Sequence, residues 1–154
     1  MPERLTMKKW LWITLPVILL DRVTKLLAEA LTGPVTLIPG VLGLRYARNT
    51  GAAFSLLRGH TWLLGLVSLA VVLLVPFLMR RYRATAFTST AAAMFIGGTL
   101  SNGFDRLFLG GVTDLFEVLL FRFAIFNTAD VFICIGCAMM AFSLLLRPQD
   151  WETK

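Results

Sequence analysis

Asp114 and Asp130 have no obvious local cation, whereas Asp21 lies four residues before Lys25 and Asp105 adjoins Arg106. Two carboxylates brought within a few ångströms cannot both ionise, so one pKa rises and the pair shares a proton. The ionised member can take a proton from a water attacking a peptide carbonyl. The protonated member can hydrogen-bond that carbonyl and later serve the leaving amine. Residue types do not by themselves establish proximity, and Asp21 and Asp105 compete for the same role. The remaining chemical inventory is thin. Cys134-x-x-Cys137 lies in an apolar run with no βαβ context and reads as a pair of small packing residues. His60 is the one histidine and has no nucleophile motif around it, so neither a zinc site nor a Ser-His-Asp triad is expected. No metal or cofactor is called for.

The elements that must position these groups are apolar runs. Of 154 residues 57% are hydrophobic and only 16% charged, too few charges to cover a soluble domain of this size. Four stretches approach the ~20 apolar residues a bilayer requires: about 10–31, 61–79, 86–108 and 124–146. The net charge of +6 argues for an anionic membrane face rather than nucleic acid, because the basic residues flank apolar segments. Arg4, Lys8 and Lys9, then Arg80, Arg81 and Arg83, then Arg147 fall on one side of four spans, which the positive-inside rule makes cytoplasmic. Both termini are then inside, and the connections 32–60 and 109–123 face outward, although these also carry Arg45, Arg48, Arg58 and Arg122. The first stretch has the basic start and Ala28-Glu29-Ala30 of a cleavable leader, but Asp21, Arg22 and Lys25 interrupt it, so it is read as a retained helix. Pro39-Gly40, Gly43 and the alternation Leu42, Leu44, Tyr46 predict short strands, giving an outer β-platform over about 35–59. The expected fold is an all-α integral membrane domain, residues 1–154, of four transmembrane helices with a small extracytoplasmic β-platform.

Polar residues inside such spans need partners, because a charge in hydrocarbon costs about 3 kcal/mol or more. Asp21, Thr24 and Lys25 share a helix face at i, i+3 and i+4; Asn102, Asp105 and Arg106 repeat that spacing; Asn127 and Asp130 are three apart. All three clusters reach the same outward depth. Asp21 with Lys25 and Asp105 with Arg106 are candidate structural ion pairs, and Asp114 follows the Gly110-Gly111 turn in an outer loop.

Five boxes in order carry a family resemblance. Asp21-Arg-Val-Thr-Lys25 resembles the D-x-x-[ST]-K box of lipoprotein signal peptidases, the type II signal peptidases. Asn49-Thr-Gly51-Ala-Ala-Phe54 resembles their N-x-G-[AS]-A-F box, and Gly97-Gly98 through Asn102 to Asp105-Arg106 resembles G-G-x-x-x-N-x-x-D-R. Val112-Thr-Asp114 is similar to V-x-D, and Phe126-Asn127-Thr-Ala-Asp130 to F-N-x-A-D. The resemblance runs from about residue 10 to 146. It implies an aspartic endopeptidase with catalytic Asp114 and Asp130, and Asn49, Gly51, Asn102, Asp105, Arg106, Asn127, Asp21 and Lys25 shaping or supporting the site. It also implies cleavage of diacylglyceryl-modified bacterial prolipoproteins before the lipidated cysteine, at the outer face of the inner membrane, without metal and with sensitivity to globomycin-type inhibitors. Leu115 stands where phenylalanine is common, Glu117 adds an acid, and Ile125 replaces a small residue or threonine.

The residues themselves fit a lipid-anchored substrate: water at headgroup depth, asparagines for an extended peptide, acyl chains between helices. Phe54 and Trp62 read as interfacial anchors, and Gly97 and Gly98 as close-packing positions. Two other readings remain at this point. A serine–lysine peptidase would use Lys25 as base and Ser55 or Ser101 as nucleophile; a small ion or proton transporter would use the intramembrane carboxylates.

Overall fold

The structure is a computed structural model that describes residues 7–51, 57–82 and 84–153, with side chains from Trp10 onward. Arg4, Phe54, Ser55 and Arg83 lie outside the described residues, as do the side chains of Lys8 and Lys9. In chain order the elements are α1 (Met7–Glu29), β1 (Val35–Ile38), β2 (Leu42–Asn49), α2 (Thr61–Met79), α3 (Ala86–Phe104), β3 (Val112–Val118) and α4 (Thr128–Leu146). A π-helical turn, Asp105–Leu109, extends α3, and a 3₁₀ turn, Pro148–Trp151, follows α4.

Burial is inverted relative to a water-soluble protein. Asp21, Lys25 and Asp105 are at most 1% exposed, while Trp12 and Leu145 on the exterior are about 80% exposed. An apolar exterior around polar groups is what a hydrocarbon solvent selects. α2 and α4 are long and apolar enough to cross a membrane, with mean hydropathy 2.6 and 2.2. α1 and α3 carry the polar clusters and are less apolar.

α3 is the central helix, in contact with α1, α2 and α4. Its sequence suits that place: Ala91, Ala92, Ala93, Gly97 and Gly98 let neighbouring backbones come close. A Cβ at Gly97 would meet the Val17 side chain of α1 at 2.9 Å, and one at Gly98 would overlap the Ala129 carbonyl oxygen of α4. The predicted close-packing role of both glycines is thus explained by their neighbours. α3 starts at a reciprocal cap, in which the Thr85 hydroxyl accepts from Thr88 N at 3.3 Å and Thr88 Oγ1 accepts from Thr85 N at 3.0 Å.

The three strands form one antiparallel sheet in the order β1-β2-β3, at the end of the bundle where α1 and α3 finish and α4 begins. The expected platform is present as β1 and β2, but the sheet draws its third strand from the second connection. Asp114 therefore sits on β3 and not in a loop. Gly110 makes the turn into that strand at φ 71°, a conformation glycine adopts without strain. The third apolar run also ends earlier as an α-helix than 108, since Asp105 onward winds as the π turn, and the fourth begins its helix at Thr128 instead of 124. Cys134 and Cys137 are exposed free thiols, correcting their reading as packed residues.

Candidate active site

Asp130 belongs to the cap of its own helix. Asn127 Oδ1 accepts from Asp130 N at 2.9 Å, while Asp130 Oδ2 accepts from Asn127 N at 3.1 Å. This box holds the carboxylate in the first turn of α4, where the helix dipole favours negative charge. Asp114 reaches the same place from the sheet. Leu115 N and Phe116 N both donate to the Phe126 carbonyl, at 2.9 and 2.8 Å, and Phe126 N donates back to Phe116 O at 3.1 Å. Those bonds fasten β3 to the residue just before the cap.

Asn127 then joins the two carboxylates. Its Nδ2 donates to Asp114 Oδ1 at 2.7 Å and to Asn102 Oδ1 at 3.2 Å, so both of its N–H groups are used. Asn102 Nδ2 in turn donates to Asp130 Oδ1 at 2.7 Å. Asp114 Oδ2 accepts from Asn49 Nδ2 at 3.1 Å. The register explains that contact: Asn49 pairs with Val112, which lies on the same sheet face as Asp114 two residues on. Asn49 Oδ1 accepts from Gly51 N at 3.0 Å, fixing the amide orientation. Amides thus ring both acids. Burial first, and the neighbouring Asp130 second, push the Asp114 carboxyl from its ordinary 3.8 up to about 6; the hydrogen bonds from Asn127 and Asn49 oppose the rise.

Behind the asparagines is a saturated ionic network. Lys25 Nζ contacts Asp21 Oδ2 at 2.6 Å, Asp105 Oδ2 at 2.7 Å and Asn102 Oδ1 at 2.8 Å, one acceptor for each ammonium hydrogen. Asp21 also accepts from Ser101 Oγ at 2.6 Å and from Ala129 N at 2.8 Å. Asp105 Oδ1 takes a hydrogen bond from Arg22. The expected Asp105–Arg106 pair is replaced by Arg22 and Lys25, because α1 packs against α3 and presents both cations. Asp21 with Lys25 holds as an ion pair. Thr24 supports the same seam through Thr128 Oγ1, at 2.7 Å.

Arg106 instead lines a cleft of about 780 Å³ with Asp114, Asp130, Asn49, Gly51, Asn102 and Asn127, and its Nε is buried without a hydrogen-bond partner among the described residues. The cleft continues past Ile125, Phe126 and Val131 to Ile133 and Cys134, from a polar mouth to an apolar side. A larger groove, about 1410 Å³, borders α1 and α3 but is almost wholly apolar and holds no acid pair, so lipid-facing surface accounts for it.

The structure therefore gathers Asn49, Gly51, Asn102, Arg106, Asp114, Asn127 and Asp130 around one cleft and puts Asp21, Lys25 and Asp105 behind it. The serine–lysine reading loses its base: every Lys25 hydrogen is engaged, and Ser101 donates to Asp21. Ser55 is outside the described residues. Sequence reasoning missed Arg22 as an acid partner, since it lies off the face shared by Asp21 and Lys25.

A family model described as "Signal peptidase (SPase) II" matches residues 13–146. The lipoprotein signal peptidase of Klebsiella aerogenes is 37% identical over 155 residues, covering 94% of this chain and 93% of that protein. The lipoprotein signal peptidase of Parasynechococcus marenigrum is 43% identical over 130 residues, covering 82% and 80%. A solved structure described as a bacterial membrane enzyme superposes with a TM-score of 0.87 at 26% identity, covering all of this chain and 98% of the other. A second, also described as a bacterial membrane enzyme, has a TM-score of 0.83 at the same identity.

Proposed function

The chain belongs to the signal peptidase II family, and we propose that Asp114 and Asp130 are the catalytic pair with which this peptidase removes signal peptides from prolipoproteins. The observation that carries the reading is the double hold of Asn127, whose side chain donates to Asp114 and whose backbone N–H donates to Asp130. Two acids from distant chain segments meet at one residue.

One proton is shared between them. The ionised carboxylate takes a proton from water as the water oxygen adds to the scissile carbonyl carbon, and the protonated one donates to the carbonyl oxygen. Collapse of that intermediate breaks the C–N bond, with a proton passing to the departing cysteine amine. Asn49, Asn102, Gly51 and Arg106 are proposed to hold the extended peptide. Arg106 is suited to substrate carbonyls, since its buried Nε has no acceptor among the described residues.

The substrate is proposed to be the diacylglyceryl-modified form, cut before the lipidated cysteine, with acyl chains along the apolar side of the cleft by Val131, Ile133 and Cys134. α1 to α4 are proposed to be four spans of one membrane domain, residues 1–154, in the bacterial inner membrane, with both termini cytoplasmic and the sheet at the outer face. The short basic α2–α3 connection and Arg147 support that orientation. Globomycin-type cyclic peptides are expected to inhibit by occupying the cleft, and no metal is expected to be needed.

The test is cleavage of a lipidated prolipoprotein peptide by Asp114→Asn and Asp130→Asn in detergent or bilayer. Each is expected to lose at least about a thousandfold in kcat while remaining folded, at the cost of at most one hydrogen bond. Turnover near wild type by either variant removes the pair.

A further inference from the structure

Beside the acid pair the sheet carries a polar chain that nothing in the reaction uses directly; Arg48, at one end of it, borders the cleft, whereas Thr113 and Glu29 do not line it. Side chains alternate along β3, so Thr113 points away from the side that Asp114 and Asn49 share. Thr113 is 2% exposed, and its hydroxyl is fully engaged: it donates to Glu29 Oε1 at 2.9 Å and accepts from Arg48 Nη1 at 3.3 Å. Arg48 is the β2 partner of Thr113 in the register, and its second terminal nitrogen donates to the Leu109 carbonyl, at the end of the π turn that also contains Asp105 and Arg106. Glu29 is the last residue of α1, the helix that supplies Asp21 and Lys25. One buried hydroxyl thereby ties together the last turn of α1, the strand bearing Asp114, the strand bearing Asn49 and the turn bearing Arg106.

We propose that Glu29, Thr113 and Arg48 are positioning residues that clamp Asp114 at the height of Asp130, an inference that rests on the catalytic pair proposed above. Asp130 is fixed by its own helix cap and by Asn102. The Asp114 carboxylate is held by two asparagine amides among the described residues, and its strand is fastened to Phe126 beyond Asp114 and to β2 alongside, so the Glu29–Thr113–Arg48 chain adds the side-chain tie at the residue just before it. Gly111 adds a second sign of close fit, since a Cβ there would lie 3.0 Å from Asn49 O and 3.1 Å from Arg48 Nε. Displacements of about 1 Å at reacting groups cost up to about a hundredfold in rate. Thr113 and Glu29 line no part of the cleft and act on geometry alone, so their loss falls on kcat and leaves KM unmoved.

The test compares Thr113→Val, which keeps the shape and removes the hydroxyl, with Glu29→Ala at the exposed end of the clamp. Each is expected to lower kcat about tenfold, with KM within about twofold and the unfolding temperature held within about 3 °C. Thr113→Ser and Glu29→Gln keep a donor and an acceptor, and are expected to restore most of the loss. The double variant Glu29→Ala/Thr113→Val is expected to be no slower than Thr113→Val alone, because both break one chain. Wild-type kcat in both single variants, a change in KM alone, or a kcat loss that follows unfolding and is not restored by the conservative variants would overturn the clamp. Should Thr113→Val fold poorly, Glu29→Ala against Glu29→Gln decides alone. Inactive Asp114→Asn beside fully active Thr113→Val removes the clamp and keeps the pair, whereas active Asp114→Asn removes the pair itself.

Discussion

Two pairs of acids meet at the sheet end of this bundle, and their surroundings differ in kind. Asp21 and Asp105 lie behind the cleft, with Lys25 between them and Arg22 beyond, so two anions face two cations, and Asp21 is met by two further donors, Ser101 Oγ and Ala129 N. Asp114 and Asp130 face the cleft and are held by amides: Asn49, Asn102, Asn127 and one backbone N–H. Amides orient a carboxylate without neutralising it, so a proton can come and go at modest cost. A cation at the same distance would hold the acid ionised and idle. Saturation suits a scaffold; orientation without neutralisation suits the chemistry proposed for Asp114 and Asp130.

Exchanging the charge for an amide at each pair is the strongest way to break that contrast. Asp130→Asn keeps size, breaks no ion pair within bonding distance and costs at most one of the two hydrogen bonds that the carboxylate accepts, so activity is expected to vanish while the unfolding temperature falls far less than in the next variant. Asp105→Asn removes a partner of both Arg22 and Lys25 in a site that is 1% exposed. Breaking a buried pair from one side costs about 3–5 kcal/mol, so this variant is expected to unfold many degrees lower, its surviving folded fraction retaining measurable cleavage. Thermal unfolding in detergent, run beside the cleavage assay, reads both. Equal behaviour of the two variants in both measurements would erase the distinction.

Much of this arrangement was legible before any coordinates, and the reasons for the gaps are physical. The apolar runs gave four helices, and polar groups interrupting or bordering those runs marked Asp21, Lys25, Asn102, Asp105 and Asp130. β3 was missed because Val112, Asp114, Phe116 and Val118 share one face, and the aspartate breaks an otherwise apolar alternation at the position proposed to be catalytic. The Asp105 partners were misread because sequence spacing sees contacts within a helix, whereas Arg22 and Lys25 cross from α1 to α3. The Glu29–Thr113–Arg48 chain joins three separate segments and has no spacing signature at all.

The contrast also has a pH signature. Burial and Asp130 push Asp114 to about 6, a value that belongs to a pair still holding one proton when Asp130 is charged. Catalysis by a shared proton is lost when that proton leaves, so kcat/KM is expected to fall by about tenfold per pH unit above the upper limb near pH 6. Stability carries the same sign. The folded state binds the Asp114 proton more tightly than the unfolded chain, whose value is 3.8, so the stabilisation is complete below that pH and is lost as pH rises through about 6. The change amounts to roughly 3 kcal/mol. Asp114→Asn is expected to flatten this part of the stability profile; an unaltered slope in denaturant titrations at pH 4 and pH 7 would show that another group carries it.

The smallest expected effect separates orientation from charge at a single amide. Asn49 donates to Asp114 Oδ2 at 3.1 Å, a hydrogen bond that favours the ionised form and so lowers the Asp114 pKa against burial. Asn49→Ala removes that donor from a carboxylate still held by Asn127 at 2.7 Å. The upper limb of kcat/KM is therefore expected to move upward, by about half a pH unit, the size of a hydrogen bond worth about 1 kcal/mol or less. Asn49 is also proposed to hold the substrate peptide, so KM is expected to rise in the same variant. The two changes are separable, since loss of a peptide contact raises KM at every pH, whereas loss of the Asp114 donor moves only the limb. A limb displaced downward would mean that Asn49 acts on Asp114 through the protonated form, as an acceptor, and would reverse the amide orientation that the Gly51 N–H fixes.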